Sequence, residues 1–422
     1  MADTQHDDSA RAHALADWFG LNRATLAVLV VVGCLGLSEE IWSSYLSLHL
    51  ADRAGSIARA VELVGVLGFA QALLEGCGYL VGGSLAHRLG ARRALAVSAL
   101  PPALGFALML LVSSPWVIVA GAVLMTAWDP LSVPATFDVV GSEVPKGRRT
   151  IAFALQSIQK RLPKVIGPAL GAAMFVGLGY WANVTLAFVL LGFAVAVQHS
   201  LMRRLRPKAD PPALPLARLL RDMPSELRRL LAAEILIRFG EWFVRGFAAL
   251  YVFDLLTHAG GWAAPAAAAM VGTLVAVGNL VALATYVPVA KWVDQSPSPR
   301  PFIGLTFVLF ALFPILLVVL PRASAWLGLP LAAGLVGTYV INGLREIGEP
   351  ARKALIAGGF PAETRARSVG LYWGLRSFAY APAPLLASWL WEHAGPERTF
   401  LAGGALALVG VAWFAWRGPG RR

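Results

Sequence analysis

The chain has 422 residues, 57% hydrophobic and 14% charged, with a mean hydropathy of +0.65 and a net charge of +12. Soluble domains carry nearer a quarter charged residues, so too little polar surface is left to solvate a soluble helical core. The positive charge does not point to nucleic acid, because the basic residues follow the topology of a membrane protein rather than forming a patch.

In chain order, a polar tail with Asp3, Asp7 and Asp8 lacks the small-residue cleavage site of a secretory signal, and reads as a tail before a first span. Twelve apolar stretches of helical length follow, at about 25–49, 61–86, 94–113, 116–141, 151–177, 181–202, 230–256, 263–290, 301–321, 327–351, 368–391 and 399–416. A transmembrane barrel would show period-two segments of about ten residues instead. With both ends assigned to the cytoplasm, the inner tails and loops hold 25 Lys and Arg, and the outer loops hold Arg53, Arg59, Arg322 and Arg398. That bias predicts a multi-pass protein of the plasma membrane, the inner membrane in a bacterium, with both termini cytoplasmic.

The longest polar segment, 203–229, is basic and contains LPLARLLRDMPSELRRLL, which fits either a solvated linker or a helix on the inner membrane surface. It divides the chain into an N-terminal six-helix bundle with its tail (1–202) and a C-terminal one (230–422). Cys34 and Cys77 fall inside spans, with no disulfide framework or metal spacing, and read as small packing residues. No metal or cofactor is expected. Without a phosphate loop, zinc histidine pair or serine elbow, the chain is not expected to be an enzyme.

The two halves resemble each other. Pro134, Pro145 and Pro168 each have a proline 216 residues later, at Pro350, Pro361 and Pro384, and Lys160 meets Arg376 at the same offset. Glu40 and Glu241 match at an offset of 201. Parallel six-helix repeats are a transporter design in which substrate binds near mid-membrane between the halves.

After the second span the chain reads GGSLAHRLGARRAL. Gly83, Arg88, Gly90, Arg92 and Arg93 resemble the cytoplasmic signature of the major facilitator superfamily, with His87 where that signature has an aspartate. The fifth span carries IGPALGA, with Gly167, Pro168 and Gly171, similar to half of the family's proline-glycine exporter signature; Pro163 replaces its upstream glycine. The resemblance implies an all-α membrane protein of two pseudo-symmetric six-helix bundles. It implies a cytoplasmic gate that includes Asp138 and, in a weaker second copy, Asp294. Pro163, Gly167, Pro168, Gly171 and Pro384 are expected to bend or pack their helices.

Charges inside apolar spans point to a polar pathway, because a charge at the bilayer centre costs about 2.5–3.5 kcal/mol on insertion scales. Lys160 lies ~14 Å into the fifth span, half the depth of the ~30 Å core, with Arg161 and Lys164 beside it. Arg238, Glu241 and Arg245 share one face of the seventh span, and Arg345, Glu349 and Arg352 one face of the tenth. The expected substrate contacts are Lys160, Arg161, Lys164, Arg238, Arg245, Arg345 and Arg376. The expected proton-coupling acids are Glu39, Glu40, Glu75, Asp129, Glu241, Glu346 and Glu349, while Trp42, Tyr45, Trp242 and Tyr251 fit as lining. Internal Glu–Arg pairing is the structural alternative for both clusters.

The leading expectation is a secondary carrier of a small anionic or zwitterionic solute, working as a monomer by alternating access and coupled to protons or another ion. The half-signature in the fifth span favours export. A proton antiporter for apolar or cationic drugs is second. A non-transporting receptor or assembly factor on the same fold is the rival of another class.

Overall fold

The computed structural model describes residues 23–133, 149–201, 215–361 and 364–418. The spans keep the predicted order. The first is a 32-residue helix, Arg23–Ala54, and the second begins a 42-residue helix, Ile57–Ser98, that runs through the signature segment into the third (Leu100–Leu111). The fourth starts at Pro115–Met125 and resumes over 128–133; the fifth and sixth are Arg149–Leu178 and Tyr180–Leu201. The fifth stays helical through Pro163 and Pro168.

The eighth, ninth and twelfth spans are Ala264–Gln295, Arg300–Trp326 and Pro396–Arg417. Eight helices among the described residues are long and apolar enough to cross a membrane. The seventh, tenth and eleventh spans are instead built from shorter pieces. The seventh is Ser225–Trp242 followed by Phe247–Asp254 and a π turn, Leu255–Ala259. The tenth is Leu331–Leu344 and Glu349–Gly358; the eleventh is Arg365–Tyr380 and Ala383–Ala394.

The breaks have local causes. Gly246 takes φ +86°, a left-handed conformation that glycine adopts at no steric cost. Gly348 allows the tenth span to lie against the carbonyl of Phe302, where a Cβ would come within 2.3 Å. The resumed pieces of the fourth and tenth spans both open near an acid–proline pair, Asp129–Pro130 and Glu349–Pro350. Proline near a helix start gives up no hydrogen bond that the helix needs.

Contacts between spans repeat after a shift of six. The first packs on the fifth and sixth as the seventh packs on the eleventh and twelfth. The third packs on the fourth and sixth as the ninth packs on the tenth and twelfth, and the second touches the fourth as the eighth touches the tenth. Between the halves, the second lies along the eleventh and the fifth along the eighth, which the same shift exchanges. The fold is therefore two pseudo-symmetric six-helix bundles.

Small residues set the close approaches. A Cβ at Gly171 would come within 2.4 Å of the carbonyl of Ile41, and one at Gly167 within 2.5 Å of Glu40 Cβ, so both glycines seat the fifth span on the first. Pro163 packs on Gly36, and Pro384 on Gly68 across the seam. Gly171→Val is expected to lower stability by about 1–3 kcal/mol through overpacking. Gly192→Val, in open space on the sixth span, should be neutral. Thermal unfolding in detergent compares the two directly.

The short helix Leu216–Arg221 buries Leu219 and exposes Arg218 and Arg221. Residues 203–214, the rest of the expected linker, lie outside the described residues, and the seventh span already begins at Ser225, inside the segment read as linker.

Candidate functional site

A cavity of about 490 Å³ lies between the bundles, walled by the first, second, fifth, seventh, eighth and tenth spans. Its floor and sides are polar where the helices break. The interruption of the seventh span carries Arg245, and that of the tenth carries Arg345 and Glu346. Interrupted backbone is tolerated at membrane depth where it lines a cavity, and such interruptions mark solute and ion sites in transporters.

On the N-terminal wall, Lys164 Nζ lies 3.3 Å from Glu40 Oε1. Gly167, one turn along, leaves the room that brings Glu40 beside that lysine. Glu39 faces the cavity with no ion-pair or hydrogen-bond partner among the described residues. Ser43, Ser44, Ser47 and Gln71 add hydroxyls and an amide to this wall.

The C-terminal wall holds a chain of alternating charges. Arg376 Nη1 and Arg352 Nη1 lie 3.1 and 2.7 Å from Glu234 Oε2. Arg352 also donates to both oxygens of Glu349, at 3.0 and 2.6 Å. Glu349 Oε1 lies 3.5 Å from Arg238, which donates to Glu241 at 2.5 Å. Arg345 then lies 3.4 Å from Glu241 and 3.7 Å from Glu346. Glu346 pairs with Arg161 of the opposite bundle, and Arg161 donates to Asn279 Oδ1 at 3.0 Å. Desolvation offsets much of the attraction in each buried pair, so the chain matters more for fixing geometry than for net stability.

The arginines of the cavity also lie over aromatic rings. Arg238 and Arg345 sit 4.6 and 4.5 Å from the Phe310 ring, and Arg245 sits 4.5 Å from the ring of Trp242. Arg245 alone of these three has no carboxylate within ion-pair distance among the described residues.

The cavity thus gathers Arg161, Lys164, Arg238, Arg245 and Arg345 with Glu39, Glu40, Glu241, Glu346 and Glu349. Glu75, Asp129 and Arg376 do not line it. Arg376 is turned to Glu234, and Glu75 accepts from Tyr79 (3.1 Å) and from Tyr380 of the other bundle (2.5 Å). Trp42 and Trp242 line the cavity; Tyr45 instead donates to the Pro168 carbonyl, and Tyr251 is buried against Phe400. Arg88 and Arg93 are exposed. The side chains of Lys160, His87, Arg92 and Asp294, and the whole of Asp138, lie outside the described residues, while Gly83 and Gly90 fall within the helix Ile57–Ser98.

Sequence reasoning missed Glu234, at 1% exposure the most deeply buried acid among the described residues, and placed Arg352, 3% exposed, on the tenth span without assigning it to the site. A signal for Glu234 existed: it stands four residues before Arg238 and seven before Glu241, on the same helix face. Asn279, Tyr286 and Tyr380 carried no such signal, because neutral polar residues are common in spans.

The family model of the Major Facilitator Superfamily matches residues 28–337. The chain belongs to this superfamily. Superfamily members are transporters, so the chain is a membrane transporter and not an enzyme. Among curated relatives, the multidrug resistance protein MdtH of Sodalis glossinidius (strain morsitans) is 27% identical over 377 residues, covering 87% of this chain and 84% of that protein. MdtH of Yersinia pestis (strain Pestoides F) is 25% identical over 406 residues, covering 89% and 90%. Among solved structures, a POT family transporter in complex with 5-aminolevulinic acid aligns with TM-score 0.74 at 15% identity, covering 94% of this chain and 96% of that one. The human organic anion transporter MFSD10 (TETRAN) aligns with TM-score 0.64 at 17% identity, covering 93% and 98%. These structures share the superfamily fold.

Proposed function

We propose that this transporter exports a small anionic or zwitterionic solute by alternating access, coupled to protons. One observation carries the reading: the polar cavity between the bundles presents both an acid, Glu39, and a base, Arg245, that have no ion-pair partner among the described residues, with Lys164 half-exposed on the same lining. Groups already matched in the charge chain would have to be broken apart to bind a ligand; Glu39 and Arg245 would not, and Lys164 is held by Glu40 alone among the described residues. Arg245 and Lys164 are the contacts for the anionic group. Glu39 and Glu40 are the proton-coupling acids. Three other cations of the cavity, Arg161, Arg238 and Arg345, hold the wall rather than the solute.

The resistance named in the MdtH relatives supports outward movement. It also favours a second reading, an antiporter for cationic drugs held by Glu39. In both readings, residues 1–202 and 230–422 are the rocking halves, 203–229 is the cytoplasmic linker whose last residues, from Ser225, already form the start of the seventh helix, and the protein resides in the inner membrane with both ends inside.

The test is thermal unfolding of purified protein with organic anions, zwitterions and apolar cations at two pH values. A ligand at a hundred times its Kd stabilises by about 2.7 kcal/mol. Zwitterions or anions are expected to stabilise in a pH-dependent manner, and Glu39→Gln is expected to remove the pH dependence while leaving binding. Stabilisation by apolar cations alone would overturn the proposal in favour of the drug antiporter.

A further inference from the structure

Within the cavity, the Arg245 guanidinium lies over an aromatic ring. Trp242 lines the cavity yet is only 3% exposed. It stacks on Tyr380, with ring centroids 5.2 Å apart and planes 23° apart. The Tyr380 hydroxyl is tied to Glu75 at 2.5 Å and meets Ser377 at 3.0 Å, which fixes the stack. The Arg245 guanidinium lies over the Trp242 ring at 4.5 Å, and Arg245 itself is exposed and lines the cavity. A cation over an indole face is the strongest form of this interaction.

The backbone makes the cover movable. Arg245 stands in the non-helical interruption between Trp242 and Phe247, next to Gly246 at φ +86°. Arg238 and Arg345 also lie over rings, but carboxylates hold both of them. Nothing of that kind holds Arg245 among the described residues, so its contact with Trp242 is its defined anchor.

We propose that Arg245 is a tethered cation that sets the charge selectivity of the cavity by occupying the Trp242 face against organic cations. A lone organic cation has to displace the guanidinium and then share the cavity with it. A solute bearing an anionic group pairs with Arg245 and meets neither obstacle. The inference rests on the proposed anion-or-zwitterion reading and names the residue that would enforce it. With Arg245 removed, the same Trp242–Tyr380 stack becomes a platform for quaternary ammonium or phosphonium compounds.

The experiment measures binding of tetraphenylphosphonium to the full chain in detergent, with size-exclusion profiles confirming folded protein. Arg245→Ala is expected to bind it about tenfold more tightly than the parent. Arg245→Gln serves where the alanine variant does not fold. Lys164→Gln removes an equal charge from the cavity without opening a ring, and is expected to gain about threefold at most. Adding Trp242→Leu to Arg245→Ala should return affinity to the Lys164→Gln level. No gain in Arg245→Ala or Arg245→Gln, an equal gain in Lys164→Gln, or a gain that survives loss of Trp242 would each overturn the proposal. Binding of anions and zwitterions by the parent is read separately. If those fail to bind while the Arg245 variant gains the cation through Trp242, the solute reading falls and the tethered-cation role stands.

Discussion

Glu234→Gln is expected to destabilise the folded protein by about 3–5 kcal/mol, the cost of leaving a buried ion cluster without one partner. Glu234 is 1% exposed, and its carboxylate is the shared counter-charge of Arg352 and Arg376, themselves 3% and 7% exposed. Glutamine keeps the shape and one acceptor but cancels the charge. Arg352 remains matched by both oxygens of Glu349, so the uncompensated cation in the variant is chiefly Arg376. That assignment makes a second variant informative. Glu234→Gln combined with Arg376→Gln removes both members and is expected to recover at least 1 kcal/mol relative to the sum of the single changes. Unfolding of the four proteins in graded denaturing detergent gives the cycle. A Glu234→Gln protein as stable as the parent would mean that water enters this part of the seventh span and that the cluster is not dry.

The coarse architecture was legible because it depends on composition over whole spans. Twelve apolar stretches, inner basic loops and the glycine-rich segment from Gly82 to Leu95 are properties of sequence windows, and the spans appear in that order. The interruptions at 243–246 and 345–348 were not legible. Hydropathy averages across a break, and the feature that makes one is local: a glycine taking positive φ, or a glycine lying under a neighbouring carbonyl. Most of the charged residues, Glu234 excepted, were found individually, since each stands out against apolar neighbours. Their partners were not, because pairing between helices depends on rotation and register. Arg376 illustrates this. Its offset from Lys160 placed it with the cavity cations, but the rotation of the eleventh span turns it to Glu234 and away from the cavity. Glu75 is likewise directed into the seam with Tyr380 rather than into the cavity.

Arg161→Met is expected to raise access to the cavity from the basic side by tenfold or more and to slow transport by a similar factor. Arg161 stands in the N-terminal bundle, and its guanidinium is held by two spans of the other half: Glu346 in the tenth and Asn279 in the eighth. Tyr286 reinforces the contact from the eighth span, donating to Glu346 at 3.3 Å. A charge-assisted link of this kind contributes about 1.5–3 kcal/mol, enough to move a two-state equilibrium by at least tenfold. If the halves rock about the cavity, this contact exists in one state and is lost in the other, so its removal shifts the population rather than merely loosening the fold. Glu346 keeps Arg345 and Tyr286 in the variant, which limits the loss of stability. The measurement is the labelling rate of Ser44→Cys, a cavity position, by a membrane-impermeant thiol reagent in inside-out vesicles, in an otherwise cysteine-free background. Glu346→Gln should act in the same direction, and the double variant should add little to Arg161→Met, since both break one link. Unchanged labelling in all three would make the pair a fixed strut of one conformation. In that case the halves would part elsewhere, and the hydrogen bond between Glu75 and Tyr380 would be the next seam to break.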